Sequence, residues 1–253
     1  MVKVLLLAAG IGSRLGNLTA DKHKSLLAIN GEQSILDYQL RSMDKAGLNE
    51  VNIVVGHCSE SLALYCQRYS KRHDISLIKN DHYASKNIDW SVYLGLTSID
   101  EDLIYIEGDM VLQSEILTEL KQSTADICLI VDQQPKSQHV DTVVRSLAER
   151  DTLFIDVKEH GFHSDASLEN ALGEFVCAIK ISNRARQLLL DKLATFEFDG
   201  VIQFYSAIND ILPEVSFCYR DCQQFDWVEV DNVKDLERAK ELCQTTNFGL
   251  DKD

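Results

Sequence analysis

The sequence has few of the features that mark membrane, secreted or disordered proteins. Its 253 residues include only two prolines, and 45% are hydrophobic and 26% charged, which is typical of a folded globular protein. No apolar run approaches the ~18 residues that a membrane-spanning helix requires. The chain enters a predicted strand by Val2, so a secretory signal peptide has no room, and we expect no membrane partner.

Positive charge and paired cysteines are also scarce. The formal net charge of −15 argues against nucleic acid and anionic membranes as partners, and it favours the attraction of divalent cations. The seven cysteines are odd in number and scattered. Cys218 and Cys222 have a metal-like spacing, but no second Cys/His pair completes a zinc site. We therefore expect a reduced, cytoplasmic protein in which Cys128 and Cys177 are small buried hydrophobic residues.

Strand and helix patterns alternate through the first half of the chain. Apolar runs typical of buried strands are followed by amphipathic helical patterns, as at 51–55 followed by 59–72. This alternation predicts an α/β fold with a Rossmann-like, mixed but mostly parallel sheet flanked by helices. An antiparallel strand pair predicts a small β insertion at approximately 133–172 that covers one edge of the sheet. No repeat or linker divides the sequence, so 1–253 is predicted to be a single domain.

The first predicted strand runs into a glycine-rich turn that carries cationic side chains. Gly10 and Gly12 allow the backbone to approach a ligand, its free N–H groups attract anions, and Arg14 can donate two hydrogen bonds to a phosphate. An ordinary strand-to-helix turn would use the same two glycines. The turn is not a Walker A loop. Leu15 stands where a dinucleotide-binding fingerprint needs a small residue, which disfavours a dinucleotide oxidoreductase.

Two later strands end in acidic residues, Asp109 and Asp231. Because the carboxyl ends of parallel strands line the ligand crevice of a doubly wound sheet, we expect Asp109 to lie beside the glycine-rich turn. Two carboxylates at neighbouring strand ends suit Mg²⁺, which prefers a few hard oxygen ligands. The alternatives are a strand-end turn for Asp109 and a helix N-cap for Asp231 and Asn232. Glu107 and Glu229 stay outside the predicted metal shell.

The string Leu7-Ala8-Ala9-Gly10-Ile11-Gly12-Ser13-Arg14-Leu15, followed by Lys24-Ser25-Leu26-Leu27, resembles the signature of the nucleotidyltransferases that activate sugar phosphates and phospho-alcohols. That family usually has L-A-A-G-x-G-[ST]-R-[LM] and then P-K-[SA]-[LM]. This chain departs once, with His23 in place of a proline that would stiffen the loop. The strings around Asp109 and Asp231 look like the family's metal-binding G-D and E-[IV]-D sites.

The resemblance covers nearly the whole chain and implies a nucleotide-diphospho-sugar transferase-like fold with Mg²⁺ as cofactor. Asp109 and Asp231 would be the metal ligands, and Lys24 and Arg14 the catalytic cations. The predicted nucleotide-binding residues of the turn and the metal site are Leu7, Ala8, Ala9, Gly10, Gly12, Ser13, Arg14, Lys24 and Gly108.

A second stretch bears on the nucleotide. Residues 80–94 resemble the N-x-x-Y…N-N-x-x-S-[LV] pattern of small cytidylyltransferases that use phosphocholine or phosphonates such as 2-aminoethylphosphonate. In those enzymes the Asn and Ser lie near the base and ribose, so Asn87 and Ser91 are predicted nucleotide contacts, and an amide suits a cytosine edge. The alternative is a helix-capping Asn87 and a surface Ser91. Residues 173–182 resemble the same subfamily, with Cys177 in place of a glycine.

The resemblance therefore implies a cytidylyltransferase that moves CMP from CTP to a small phosphate- or phosphonate-bearing acceptor and releases pyrophosphate. Lys158, Glu174 and Trp90 are candidate acceptor contacts, a surface lysine and core aromatic residues being the alternatives. A sugar-1-phosphate nucleotidyltransferase using UTP or dTTP is disfavoured by residues 80–94. A non-catalytic nucleotide sensor is disfavoured because all the predicted catalytic and metal-binding residues are present. A homodimer is possible, and the sequence does not identify the acceptor.

Overall fold

The computed structural model of the protein describes residues 2–135, 140, 142–147, 152–157 and 171–245. Most elements begin and end within two residues of their predicted positions. The strands of the described part are β1 (Lys3–Ala8), β2 (Ala28–Asn30), β3 (Gln33–Ser34), β4 (Glu50–Val55), β5 (Asp74–Lys79), β6 (Leu103–Glu107), β7 (Met110–Leu112), β8 (Ile127–Asp132), β9 (Thr142–Leu147), β10 (Thr152–Val157), β11 (Ala171–Ile181), β12 (Phe217–Asp221) and β13 (Trp227–Glu229).

The helices of the same ranges follow the predicted amphipathic patterns. They are α1 (Ile35–Lys45), α2 (Ser59–Cys66), α3 (Ile88–Ser98), α4 (Ser114–Gln122), α5 (Asn183–Leu193), α6 (Phe204–Ile211) and α7 (Val233–Thr245). Short 3₁₀ turns at Ser13–Thr19, Lys24–Leu26, Gln67–Tyr69 and Leu212–Glu214 complete the regular structure of these ranges. The helix predicted over 59–72 is shorter than expected, because the α-helix ends at Cys66 and continues as a 3₁₀ turn.

The central sheet is mixed, with a parallel centre. Strand β1 pairs in parallel with β4 and β6, and β4 pairs in parallel with β5. Strand β11 joins this centre antiparallel to β6 and also pairs antiparallel with β8, which pairs in parallel with β12. The nine-stranded sheet runs β10-β9-β11-β6-β1-β4-β5, with β8 and β12 branching from β11. The predicted mixed, mostly parallel sheet flanked by helices is confirmed.

Two hydrophobic clusters hold the sheet and helices together. The larger one is built on β1, where Val4, Leu5 and Leu6 have no exposed surface, as expected for a strand covered on both faces. Helix α1 is fixed at its start by a capping box in which Ser34 and Asp37 exchange hydrogen bonds with each other's backbone. The smaller cluster joins α1 to α7 and to β7 and β13.

The predicted insertion is partly described. Strands β9 and β10 pair antiparallel as expected and extend the sheet at the β11 edge, whereas residues 158–170, including the candidate contact Lys158, lie outside the described residues. Strand β11 has a register irregularity between Phe175 and Ile179, and Cys177 within it has a φ of 28°. That left-handed conformation favours glycine, the residue the resembling subfamily has there.

No helix within the described ranges combines the length and apolar character that crossing a bilayer requires.

Candidate active site

The candidate site is a cleft at the carboxyl ends of β1 and β6, and it contains two adjoining cavities. The first, here the loop cavity, is lined by nine of the predicted nucleotide-binding residues: Leu7, Ala8, Ala9, Gly10, Gly12, Lys24, Asn87, Ser91 and Gly108. The second, here the acidic cavity, adjoins it at the glycine-rich turn and is lined by the remaining two, Ser13 and Arg14, together with the predicted acceptor contact Glu174. The predicted nucleotide-binding residues and Glu174 therefore lie in one cleft.

The geometry of the glycine-rich turn depends on its glycines. Gly12 has a φ of 68°, and a Cβ at this position would lie 3.2 Å from the Thr19 side chain. At Gly108 a Cβ would lie 2.3 Å from the carbonyl oxygen of Leu7, because the residue after β6 packs closely against the end of the neighbouring strand β1. Both glycines allow backbone segments to approach where a side chain would separate them.

Two cations and two carboxylates meet at the junction of the cavities. Lys24 Nζ lies 2.5 Å from Asp109 Oδ2 and 3.3 Å from Asp231 Oδ1, and Arg14 Nη1 lies 2.8 Å from Asp231 Oδ2. Burial alone would lower the pKa of Lys24, but the neighbouring carboxylates, Asp109 first, outweigh it and raise that pKa. Lys24 therefore keeps its positive charge at neutral pH, and both cations are held beside the glycine-rich turn.

A short two-stranded ladder brings the two carboxylates together. Strands β7 and β13 pair antiparallel, and the N–H of Val230 donates to the carbonyl of Asp109 at 3.1 Å. Along β13 the alternating pattern buries Val228 and Val230, so that Glu229 and Asp231 face the cleft.

The sequence analysis left open that Asp231 and Asn232 cap the helix that follows them, and only Asn232 does so. Its Oδ1 accepts hydrogen bonds from the N–H groups of Lys234 and Asp235 at the start of α7. The Asp231 carboxylate takes no part in these bonds and pairs with the cleft cations instead.

The donor set of the cleft fits a divalent cation. Asp109, Glu229 and Asp231 each offer a carboxylate oxygen, and these oxygens lie within 4.8 Å of one another. Asp109 Oδ1 is buried and has no hydrogen-bond partner among the residues that the structure describes. Hard carboxylate oxygens, one of them unsatisfied, are the ligands that Mg²⁺ prefers. Glu229, which the sequence analysis leaves outside the metal shell, belongs to this group.

Two glutamates of the acidic cavity, Glu107 and Glu229, lie close to the carboxylate of Asp109. Glu107 Oε1 accepts hydrogen bonds from Tyr205 at 2.7 Å and Tyr105 at 3.1 Å. Desolvation, and then the charge of Asp109, raises the pKa of Glu107 to about 7. Desolvation and the same neighbour raise the pKa of Glu229 well above its ordinary value. A bound cation would relieve this concentration of negative charge.

The predicted nucleotide contacts of α3 combine structural and cavity-lining positions. Asn87 caps α3, since its Oδ1 accepts the N–H of Asp89 at 3.1 Å, and it also lines the loop cavity. Ser91 is buried and accepts a hydrogen bond from Asn80 at 2.9 Å, so the surface alternative for it is wrong. The helix-cap alternative for Asn87 is true, but it does not remove Asn87 from the cavity.

Trp90 does not line either cavity within the described part of the chain. Its ring stacks on Tyr93 with centroids 5.6 Å apart and meets the edge of Phe198 at 5.1 Å. The ammonium of Lys86 lies 4.3 Å from the Trp90 ring centroid, and Lys86 lines the loop cavity. Trp90 therefore supports Lys86, and its predicted contact with the acceptor stays a prediction.

Sequence reasoning did not identify several residues that line the cleft. The missed residues of the acidic cavity come largely from α6. The sequence pattern there predicts a helix, but it does not predict which face of the helix lines the cavity. The sequence did mark His23 as unusual, because it stands where the quoted family motif has proline. The residues missed include His23, Lys86, Tyr105, Phe204 and Tyr205.

A glycine-rich turn after the first strand and acidic residues at two strand ends place the chain among Rossmann-like α/β proteins. Residues 4–173 match the MobA-like NTP transferase domain, which is more than half of the chain, and the protein therefore belongs to that family. This confirms the family expected from the turn motif. The glycine-rich turn, the Lys24–Asp109 pair and β11 as far as Gly173 all lie within the matched region.

Two curated relatives and one solved structure are similar to this chain. A choline-phosphate cytidylyltransferase from Streptococcus pneumoniae is 28% identical over 123 residues, 49% of this chain and 52% of that protein. A CMP-5′-(3-aminopropyl)phosphonate synthase from Streptomyces rubellomurinus is 30% identical over 243 residues, 94% of this chain and 38% of that protein. The chain thus spans about half of these relatives or less. The structure of the CTP:phosphocholine cytidylyltransferase of S. pneumoniae has a TM-score of 0.71 at 18% identity, covering 96% of this chain and 99% of that one, which confirms the fold.

Proposed function

We propose that this protein is a Mg²⁺-dependent cytidylyltransferase that transfers CMP from CTP to a small acceptor with a phosphate or phosphonate group, and releases pyrophosphate. The observation that carries the proposal is the cluster in which Lys24 and Arg14 pair with Asp109 and Asp231 beside the glycine-rich turn. Membership of the MobA-like NTP transferase family supports a nucleoside triphosphate as substrate, and the two relatives, named for cytidylyl transfer and a CMP-phosphonate, favour CTP.

The reaction needs charge neutralisation more than proton transfer. An oxygen of the acceptor's phosphate or phosphonate attacks the α-phosphorus of CTP in line, the bond to the bridging oxygen breaks, and pyrophosphate leaves with the electron pair. The attacking oxygen is already anionic at neutral pH, so no general base is required. The barrier comes from bringing two anions together and from charge that builds on the leaving group.

The chain's own cations answer this need. Lys24 is held at the junction of the two cavities, where an α-phosphate bound between nucleotide and acceptor would lie, and Arg14 and the loop amides are placed to hold the outer phosphates. Asp109 and Asp231, with Glu229 beside them, are the residues that would hold Mg²⁺. The ion, when bound, would neutralise phosphate charge.

The acidic cavity favours an acceptor with a positively charged head group. Glu107, Glu174 and Glu229 line it together with the aromatic rings of Phe175 and Tyr205. Ring faces attract ammonium groups, and a nearby cation favours the ionised form of glutamates whose pKa is raised, whereas a neutral sugar does neither. A cationic head group, as in phosphocholine or an aminoalkylphosphonate, is therefore favoured over a sugar 1-phosphate.

A pyrophosphate-release screen tests the proposal. Each of the four NTPs is paired, with Mg²⁺ and with EDTA, against phosphocholine, 2-aminoethylphosphonate and several sugar 1-phosphates. We expect pyrophosphate release only with CTP, Mg²⁺ and either phosphocholine or 2-aminoethylphosphonate. The Lys24→Met variant should lose about 100-fold or more in kcat, since removing one preorganised cation has about that effect. Release only with UTP or dTTP and a sugar phosphate would contradict the cytidylyl assignment. Binding of CTP without turnover of any NTP–acceptor pair would favour the alternative that the protein is a non-catalytic nucleotide sensor.

A further inference from the structure

His23 lies where the family motif has proline, and it is part of the loop cavity. The residue is almost fully buried, with 2% of its surface exposed, and it lines the same cavity as Lys24, Asp109 and Gly10. A proline at this position could offer no side-chain hydrogen bond. The substitution therefore introduces two ring nitrogens beside the proposed triphosphate site.

The hydrogen bonds of one ring nitrogen determine the state of the other. His23 Nδ1 accepts the N–H of Ser25 at 3.1 Å, which caps the 3₁₀ turn that carries Lys24, and it lies 2.6 Å from Ser25 Oγ. A nitrogen that accepts a backbone N–H carries no proton in the neutral ring, so this network assigns the proton to Nε2. Burial, with the neighbouring positive charges of His57 and Lys24, lowers the pKa of His23 to about 4, which keeps the ring neutral at physiological pH.

Nε2 is thus a buried N–H donor with no acceptor. It has no hydrogen-bond partner within the part of the chain that the structure describes. Buried donors are nearly always satisfied in folded proteins, and a persistent exception calls for a missing partner. No carboxylate or carbonyl group of the described residues supplies it, while His23 lines a cavity proposed to bind a ligand rich in acceptor oxygens.

We propose that the Nε2–H group of His23 donates a hydrogen bond to an oxygen of the nucleotide's phosphate chain, and that His23 is a nucleotide-binding residue of this chain. The inference rests on the proposed function, since it takes the loop cavity to be the nucleotide site. The phosphate chain is favoured over the base because Lys24, the next residue, is held at the carboxylate cluster by the same capped turn. One histidine then both caps that turn and contacts the ligand.

Two variants separate the capping bond from the ligand bond. In His23→Asn the amide oxygen can replace Nδ1 as the cap of Ser25, but no group reaches the position of Nε2. In His23→Gln the amide nitrogen reaches the position of Nε2, but the cap is lost. We expect calorimetry to show CTP binding about tenfold weaker in His23→Asn, at nearly unchanged thermal stability, and within threefold of wild type in His23→Gln.

The ligand series and a spectroscopic measurement make the test specific. Tripolyphosphate should show the same tenfold loss in His23→Asn, and cytidine should show none. In ¹H–¹⁵N spectra of the wild-type imidazole, CTP should shift the Nε2 resonance of His23 and leave Nδ1 unprotonated. Unchanged CTP affinity in His23→Asn, or an unshifted Nε2 resonance, would overturn the inference, and a loss that cytidine shares would overturn the phosphate assignment. Failure of the wild type to bind CTP at all would instead refute the proposed function.

Discussion

Acidification should destabilise the folded protein through His23. The folded ring has a pKa of about 4, against 6.5 for an ordinary histidine. As the pH falls, the unfolded chain binds a proton at this residue before the folded chain does. The contribution of His23 to the free energy of unfolding is therefore fully present above pH 6.5 and is lost as the pH falls through 4.

The size of the effect follows from the two pKa values. At about 1.4 kcal/mol per pKa unit, the full difference is roughly 3–4 kcal/mol, and about 2 kcal/mol of it falls between pH 7.0 and pH 4.5. This residue is almost entirely buried, so solvent screening does little to reduce the figure. For a domain of this size, a loss of that magnitude is a substantial fraction of total stability.

Urea unfolding of wild type and His23→Asn at pH 7.0 and 4.5, with EDTA present, measures this effect. Carboxylates such as Asp37, whose pKa is lowered in the folded state by the hydroxyl and backbone donors around it, also lose stabilisation on acidification, but they do so equally in both proteins. The wild type should lose about 2 kcal/mol more than the variant between the two pH values. Equal losses in the two proteins would refute the neutral, buried state of His23.

Three further predictions concern the fold and the acidic cavity. Gly108→Ala places a Cβ against a carbonyl of β1 and should lower the free energy of unfolding by about 1–3 kcal/mol, whereas Gly10→Ala, with open space around it, should cost less than 1 kcal/mol in the same urea titration. Asp37→Asn weakens the capping box and should cost about 1–3 kcal/mol by thermal unfolding, with helix α1 losing hydrogen-exchange protection first. Tyr205→Phe removes a hydrogen bond that lowers the pKa of Glu107, so that pKa should rise above about 7 in a ¹³C carboxyl titration, and an unchanged or lower value would show that the bond is not formed.

Local sequence patterns were sufficient for most of the fold. Apolar runs bounded by polar residues predicted most core strands to within two residues, because strands covered on both faces tolerate few polar side chains. Helix α2 was predicted too long, since the periodicity of 59–72 continues past Cys66 while the backbone tightens into a 3₁₀ turn. From that turn the Tyr69 hydroxyl reaches Asp37, a contact that no local pattern reports. Strand β7 was missed because it has three residues and its partner β13 is distant in sequence.

The residues of the candidate site were likewise predicted where a local pattern was enough, and missed where the fold was needed. The position of Asp109 at a strand end predicted that it would lie beside the glycine-rich turn, and it lines the same cavity as Gly10 and Gly12. Alternation along β13 predicted the side of the strand on which Glu229 lies but not its distance from the other carboxylates. Only the folded structure shows that Glu229 belongs to the donor set. The motif marked His23 as unusual, yet the protonation of its ring depends on the folded turn at Ser25. What the sequence could not supply was in each case the geometry of contacts that form only in the folded chain.

The ladder of β7 and β13 makes the site a late product of protein synthesis. Lys24 leaves the ribosome early, but one of its two carboxylate partners lies 207 positions further along the chain. Until β13 has been made and has paired with β7, Arg14 has no acidic partner at this position, and the donor set for a cation has one member of three. The strands of the parallel centre are therefore all synthesised long before the chain can acquire a complete site.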